Sequence, residues 1–112
     1  MHRTSMHDVY RKRAAILSAL ACPARLHILD VLSGGEAGVG ELAAEVGLEI
    51  STVSRHLSIL RNSGLVSDRK EGTRALNTIA APCVIDFLGC IEGVVSGKVC
   101  SIAAVPGKGG TR

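Results

Sequence analysis

Two sets of side chains in this sequence could do chemistry: the thiols of Cys22, Cys83, Cys90 and Cys100, and a run of hydroxyl and basic groups between Ser51 and Arg74. The chemistry open to the thiols depends on the compartment. No apolar run approaches the roughly 20 residues of a membrane span, so no membrane partner is expected. The apolar stretch from Ala14 to Ala21 follows Arg11, Lys12 and Arg13, as in an export signal, but it is at the lower limit of length, and Asp8 sits in the basic region. The chain is therefore expected in the cytoplasm. Thiols stay reduced there and act as packing groups, soft metal ligands or redox sensors. Cys83 and Cys90 are seven residues apart, so a helix carrying both sets them on one face but about 10 Å apart along its axis. One ion cannot bridge that gap within a straight helix. A shared site needs a further sulfur, from Cys100 on the following tail or from a second copy of the helix. Cys22 precedes Pro23 at a helix junction and reads as structural.

The basic groups are informative through their placement. Net charge is only +3, but residues 30 to 50 carry Asp30, Glu36, Glu41, Glu45 and Glu49 without a Lys or Arg. Residues 51 to 75 carry Arg55, Arg61, Arg69, Lys70 and Arg74 against Asp68 and Glu71. With one Phe, one Tyr and no Trp, the chain lacks the aromatic platforms on which single-stranded bases stack. A nucleic-acid partner would be a duplex. Short hydroxyls and guanidinium forks suit base edges and phosphates.

The elements that position these groups follow from periodicity. At 112 residues the chain supports one domain, expected over 8–96, between a mobile N-terminus (1–7) and a flexible tail (97–112). A first helix spans 8–21, with Asp8 as cap and Val9, Ile16, Leu17 and Leu20 as its apolar stripe. Pro23 opens a second helix that turns Leu26, Leu29 and either Val31 or Leu32 inward and ends at Ser33-Gly34-Gly35. A third, Val39 to Val46, stops at Gly47. The fourth starts at Ser51, read as its cap, and buries Val53, Leu57 and Leu60 at i, i+4, i+7 spacing, leaving Thr52, Ser54, Arg55, Ser58, Arg61 and Asn62 outward. Gly64 ends it. Leu65 to Lys70 and Arg74 to Ile79 form a hairpin around Glu71-Gly72-Thr73, its tip carrying Arg69, Lys70 and Arg74. A fifth helix runs from Pro82 to about Ser96. The fold class is mostly α with a small β-hairpin wing, in the order α-α-α-α-β-β-α, which is the winged helix-turn-helix order.

Four blocks then carry a resemblance: Ala19-Leu20-Ala21-Cys22-Pro23-Ala24-Arg25-Leu26-His27-Ile28-Leu29, Gly40-Glu41-Leu42-Ala43, Ser51-Thr52-Val53-Ser54-Arg55-His56-Leu57-Ser58-Ile59-Leu60 and Gly64-Leu65-Val66. Over residues 10 to 96 the chain resembles the ArsR/SmtB family of metal- and metalloid-responsive repressors. The resemblance implies a homodimer formed by the first and last helices, the fourth helix in the major groove, and the wing against phosphates or the minor groove. It implies repression at an inverted-repeat operator, relieved by a ligand. By position, Ser51, Thr52, Ser54 and Arg55 would lie closest to the bases, and Arg61, Arg69, Lys70 and Arg74 closest to the backbone. His56 would be a partly buried group of the motif that adds a phosphate contact. His27 has no second nitrogen ligand at chelating spacing and is read as structural.

The family's third-helix cysteines are replaced here by Ala43 and Ala44, and the last helix offers Asp86 and Glu92 but no histidine for a zinc site. What remains is sulfur. If two copies of the last helix pack antiparallel near Asp86 and Phe87, Cys83 of one chain meets Cys90 of the other, and Cys100 is a third candidate ligand. Such thiolates suit trivalent arsenic or antimony, cadmium, lead or mercury as inducer, with no obligatory cofactor. A disulfide or polysulfide bridge between two cysteines is the redox alternative. A winged-helix module that docks protein rather than DNA is a further alternative. No phosphate loop, zinc-protease helix or paired-carboxylate motif supports an enzyme.

Overall fold

The first helix begins earlier than its apolar stripe suggests. In the computed structural model, which describes residues 5–98, the Ser5 hydroxyl accepts the backbone N–H of Asp8 at 3.1 Å, and α1 runs Met6–Leu20. Ser5 is thus the cap. Asp8, expected in that role, lies inside the first turn, where a carboxylate suits the helix N-terminus, and it pairs with Arg11. The stripe expected in α1 is only partly buried. Ala19 and Leu20 are in the core, while Leu17 is 52% exposed, because α1 meets α2 at its C-terminal end.

Pro23 stands at the start of α2 (Pro23–Leu32), where its missing N–H costs nothing. Ile28, Leu29 and Leu32 turn inward. Leu26, expected inward, falls on the flank of that face and is 37% exposed. α3 (Val39–Val46) ends on Gly47, whose φ of 76° is a left-handed conformation that favours glycine. The N–H groups of Gly47 and Leu48 both return to the carbonyl of Ala43, at 2.9 and 3.1 Å, which makes the turn between α3 and α4 tight. α4 (Ile50–Asn62) is capped at Glu49 rather than Ser51. Val53, Leu57 and Leu60 are all buried, as their spacing requires.

Gly64, at φ 81°, closes α4, and the chain enters β1 (Val66–Glu71) and β2 (Arg74–Ile79). The strands pair antiparallel from Val66↔Ile79 to Glu71↔Arg74. The connection is the two residues Gly72-Thr73, with positive φ only at Gly72, a glycine-first hairpin turn. A third segment joins β2 through one bridge: Ala37 N–H donates to Asn77 O at 3.1 Å, and Asn77 N–H to Ala37 O at 2.8 Å. Helices α2, α3 and α4 pack on one another and on the base of the wing. The core of this unit, residues 1–81 by its bounds, is aliphatic, with Ile28, Leu42, Val53 and Leu60 fully enclosed.

The second unit begins at Pro82, and its described part is α5 (Pro82–Ser96). The helix is apolar, yet none of its residues is buried. Phe87 and Ile91 are exposed, and Val94 and Val95 are 72% and 77% exposed. Among the described residues, no single helix is long and apolar enough to cross a bilayer.

Candidate nucleic-acid interface

Burying Val53, Leu57 and Leu60 fixes which way the rest of α4 looks. Ser51, Ser54, Arg55 and Ser58 are exposed, and Thr52 and His56 are half-buried at the edges of that outer face. Arg55 makes no hydrogen bond or salt bridge among the described residues, so its fork stays open to a ligand. Lys70, exposed on β1, has no ion-pair partner among them either.

The other expected backbone contacts are held by protein groups. Arg61 donates Nη1–H to Asn77 Oδ1 at 3.2 Å and Nη2–H to Ser58 Oγ at 3.4 Å, and it lies 4.0 Å from Asp68. It ties the end of α4 to the wing. Asn77, the buried polar residue of this unit, completes that tie by donating Nδ2–H to Ala37 O at 3.2 Å. Arg69 grips Glu36 with two donors, Nε–H to Oε2 at 3.2 Å and Nη2–H to Oε1. The bond from Arg69 holds the Glu36 carboxyl below the usual carboxylate range and raises Arg69 in return. Arg74 donates to Glu41 Oε1 at 2.9 Å. The same oxygen accepts the Gly38 N–H at 2.7 Å, the reciprocal half of a capping box at the start of α3. The space at Gly38 is tight: a Cβ there would lie 3.3 Å from Arg74 Nη2.

His56 has a partner that sequence patterns do not reveal. Arg25 of α2 places Nη1 at 3.2 Å from His56 Nδ1, while its Nε–H donates to Ala19 O at 2.6 Å and its Nη2–H to Ser18 O at 3.5 Å. Burial first, then the charges of Arg25 and Arg55, push the His56 pKa below 6.5. The signal available in the sequence was the absence of a basic residue in the last turn of α1. The closing carbonyls of Leu17, Ser18 and Leu20 accept backbone N–H groups, and that of Ala19 takes its donor from Arg25.

Cys83 is exposed and Cys90 half-buried on α5, and Cys22 is the half-buried N-cap of α2 without a side-chain cap bond. Cys100 lies outside the described residues. Among those described, no group of three or more His, Cys, Asp or Glu side chains is placed to hold a metal ion.

Comparison with known proteins agrees with this arrangement. Residues 22–68 match the arsR family of bacterial regulatory proteins. The chain is 37% identical to the HTH-type transcriptional regulator Rv0081 of Mycobacterium tuberculosis, over 79% of its own length and 78% of the relative's. The crystal structure of NolR from Sinorhizobium fredii superposes with a TM-score of 0.75 at 38% identity, covering 88% of this chain and all of that one (100%). The homodimeric winged helix-turn-helix DNA-binding domain of Mb0332 from Mycobacterium bovis does so with a TM-score of 0.75 at 34% identity, over 86% and 91% of the two chains.

Proposed function

The chain belongs to the arsR family of bacterial regulatory proteins, and on that premise we propose that it is a cytoplasmic, homodimeric repressor that reads an inverted-repeat operator with α4 and leaves it when a thiol-directed inducer binds. The observation that supports the DNA reading is the outer face of α4. Ser51, Ser54 and Arg55 stand exposed at the N-terminal half of a helix whose opposite side is fully enclosed. In this reading Ser51, Thr52, Ser54 and Arg55 read base edges, an Arg fork suiting guanine O6 and N7. Lys70 and, once released from their carboxylates, Arg69 and Arg74 follow the backbone, and Arg61 steadies the end of α4. Two copies read two major grooves about 34 Å apart, one helical turn. Salt-dependent binding to a palindromic duplex from the promoter of its own gene tests this. Failure on any duplex would favour a protein-docking module.

The inducer reading rests on donor chemistry. Cys83 and Cys90 give α5 two soft sulfurs, and α5 has no histidine to make a nitrogen-rich site. Two copies of α5 packed antiparallel would join Cys83 of one to Cys90 of the other, a site for trivalent arsenic or antimony or a soft metal ion. Cys100 is a candidate third ligand. Titration of the operator complex with arsenite, cadmium and a persulfide donor separates ion binding from sulfur oxidation, the alternative. A protein in which neither Cys83→Ser nor Cys90→Ser alters any response would end the thiol reading.

A further inference from the structure

The contact between Arg25 and His56 fixes a proton. Arginine has donors only, so the His56 nitrogen 3.2 Å from Arg25 Nη1 must act as acceptor. Nδ1 is therefore bare, and the ring proton of neutral His56 sits on Nε2. Among the described residues no protein group takes that Nε2–H, and no buried side-chain nitrogen or oxygen lacks a partner. Nε2 is consequently not fully buried, and half-buried His56 lies on the edge of the helix face that carries Thr52 and Arg55.

We propose that Arg25 is a positioning residue for operator recognition: it holds His56 as the Nε2–H tautomer, with that N–H presented to a phosphate oxygen, and ties α4 to the C-terminal carbonyls of α1. The inference rests on the reading of α4 as the DNA-contacting helix. One guanidinium spans three helices, donating to Ser18 and Ala19 carbonyls of α1 from its seat on α2 and to His56 of α4. Rotation of the ring would break the bond to Arg25. Protonation would place N–H on both nitrogens and set a cation against Arg25, with Arg55 adding to the repulsion.

The test uses the full chain and a labelled duplex that the wild type binds. Failure of the wild type to bind sinks the DNA reading and leaves the tautomer to be judged by itself. With wild-type binding in hand, Arg25→Gln should weaken the complex about tenfold, the worth of one hydrogen bond to a charged group. The slope of affinity against salt should stay unchanged, because Arg25 acts through His56 rather than on a phosphate. A direct contact would lower it by about 0.9 per protomer. His56→Phe should cost as much as Arg25→Gln, and the double variant no more than either. Histidine ¹⁵N shifts should report a bare Nδ1 in the wild type and mixed tautomers in Arg25→Gln. Arg25→Lys, which keeps the charge and a single donor group in place of the fork, covers the case that Arg25→Gln does not fold. Additive losses, a smaller salt slope, or a proton on Nδ1 of the wild type would overturn the proposal.

Discussion

Replacing Glu36 with Gln should tighten DNA binding, and the wing shows by how much. Arg69 presents two donors to the Glu36 carboxylate, so a phosphate approaching this edge meets a nearly neutral pair. Both side chains are well exposed, 52% and 37%, and an ion pair so placed is cheap to open. The carboxylate nevertheless remains beside the guanidinium, and its lowered pKa keeps it ionised through the neutral range. Substitution rather than acid must remove it. Glu36→Gln removes the carboxylate bonded to Arg69 and leaves only the weaker charge interaction with Glu71 to offset the cation. Each phosphate so neutralised steepens log K against log salt by about 0.9, or about 1.8 for two copies. Between 50 and 200 mM salt the variant should then lose about 12-fold more affinity than the wild type, while binding more tightly at the low end. Fluorescence anisotropy of a labelled duplex across that range reads both quantities. Arg69→Gln should change the wild-type slope little and return the Glu36→Gln slope to it. An unchanged slope, or weaker binding at low salt, would show that Glu36 shapes the wing instead of masking it.

Arg55→Ala should cost the cognate duplex about 1–3 kcal/mol and random duplex little, whereas Lys70→Ala should weaken both alike and lower the salt slope. Competition with unlabelled random DNA distinguishes them, and equal losses on both duplexes would undo the assignment. Asn77→Leu keeps the branched outline but removes two side-chain bonds, so it should cost about 1–2 kcal/mol and lower Tm by about 4–16 °C in a thermal melt. An unchanged Tm would mean that the Arg61–Asn77–Ala37 chain adds nothing to the fold. For pH, burial and the two arginines hold the His56 pKa below its unfolded value near 6.5, so the unfolded chain binds its proton first. The stability from this group is complete above about pH 6.5 and is lost as pH falls toward the folded pKa. Melts at pH 7.5, 6.5 and 5.5 should show an acid loss that is smaller in His56→Phe.

What the sequence made legible was local. The face of α4 follows from Val53, Leu57 and Leu60, its end from Gly64, the stop of α3 from Gly47, and the wing from two short strand segments around Gly72. Each signal lies within a few residues of what it specifies. The ties that decide how the basic groups behave are long-range: Arg25 meets His56 across 31 positions, Glu36 meets Arg69 and Glu41 meets Arg74 across 33, and Asn77 reaches Ala37 across 40. Read along the chain, residues 30 to 50 were an acidic stretch and 51 to 75 a basic one. Folding lays part of one against the other, so charges that looked available to DNA already have partners. The stripe of α1 misled for a related reason. Periodicity identifies an apolar face but not what covers it, and Leu17 remains half exposed.

These ties constrain how a signal can reach DNA. α4 contains no cysteine, and it is anchored at three places: by its enclosed core face, by Arg25 at His56, and by Arg61 to Asn77. Close-packed cores of this kind do not deform gradually. Moving α4 within its own unit would require breaking at least one guanidinium tie along with its packing. Changing the separation of two units in a dimer breaks none of them. If a thiol-directed inducer acts as proposed, release should therefore act on the spacing of the two copies of α4, one turn of DNA apart, and leave each copy internally intact. The ¹⁵N signature of His56 would then be the same with and without inducer while operator affinity collapses. A change of tautomer on inducer binding would place the switch at the Arg25 tie itself.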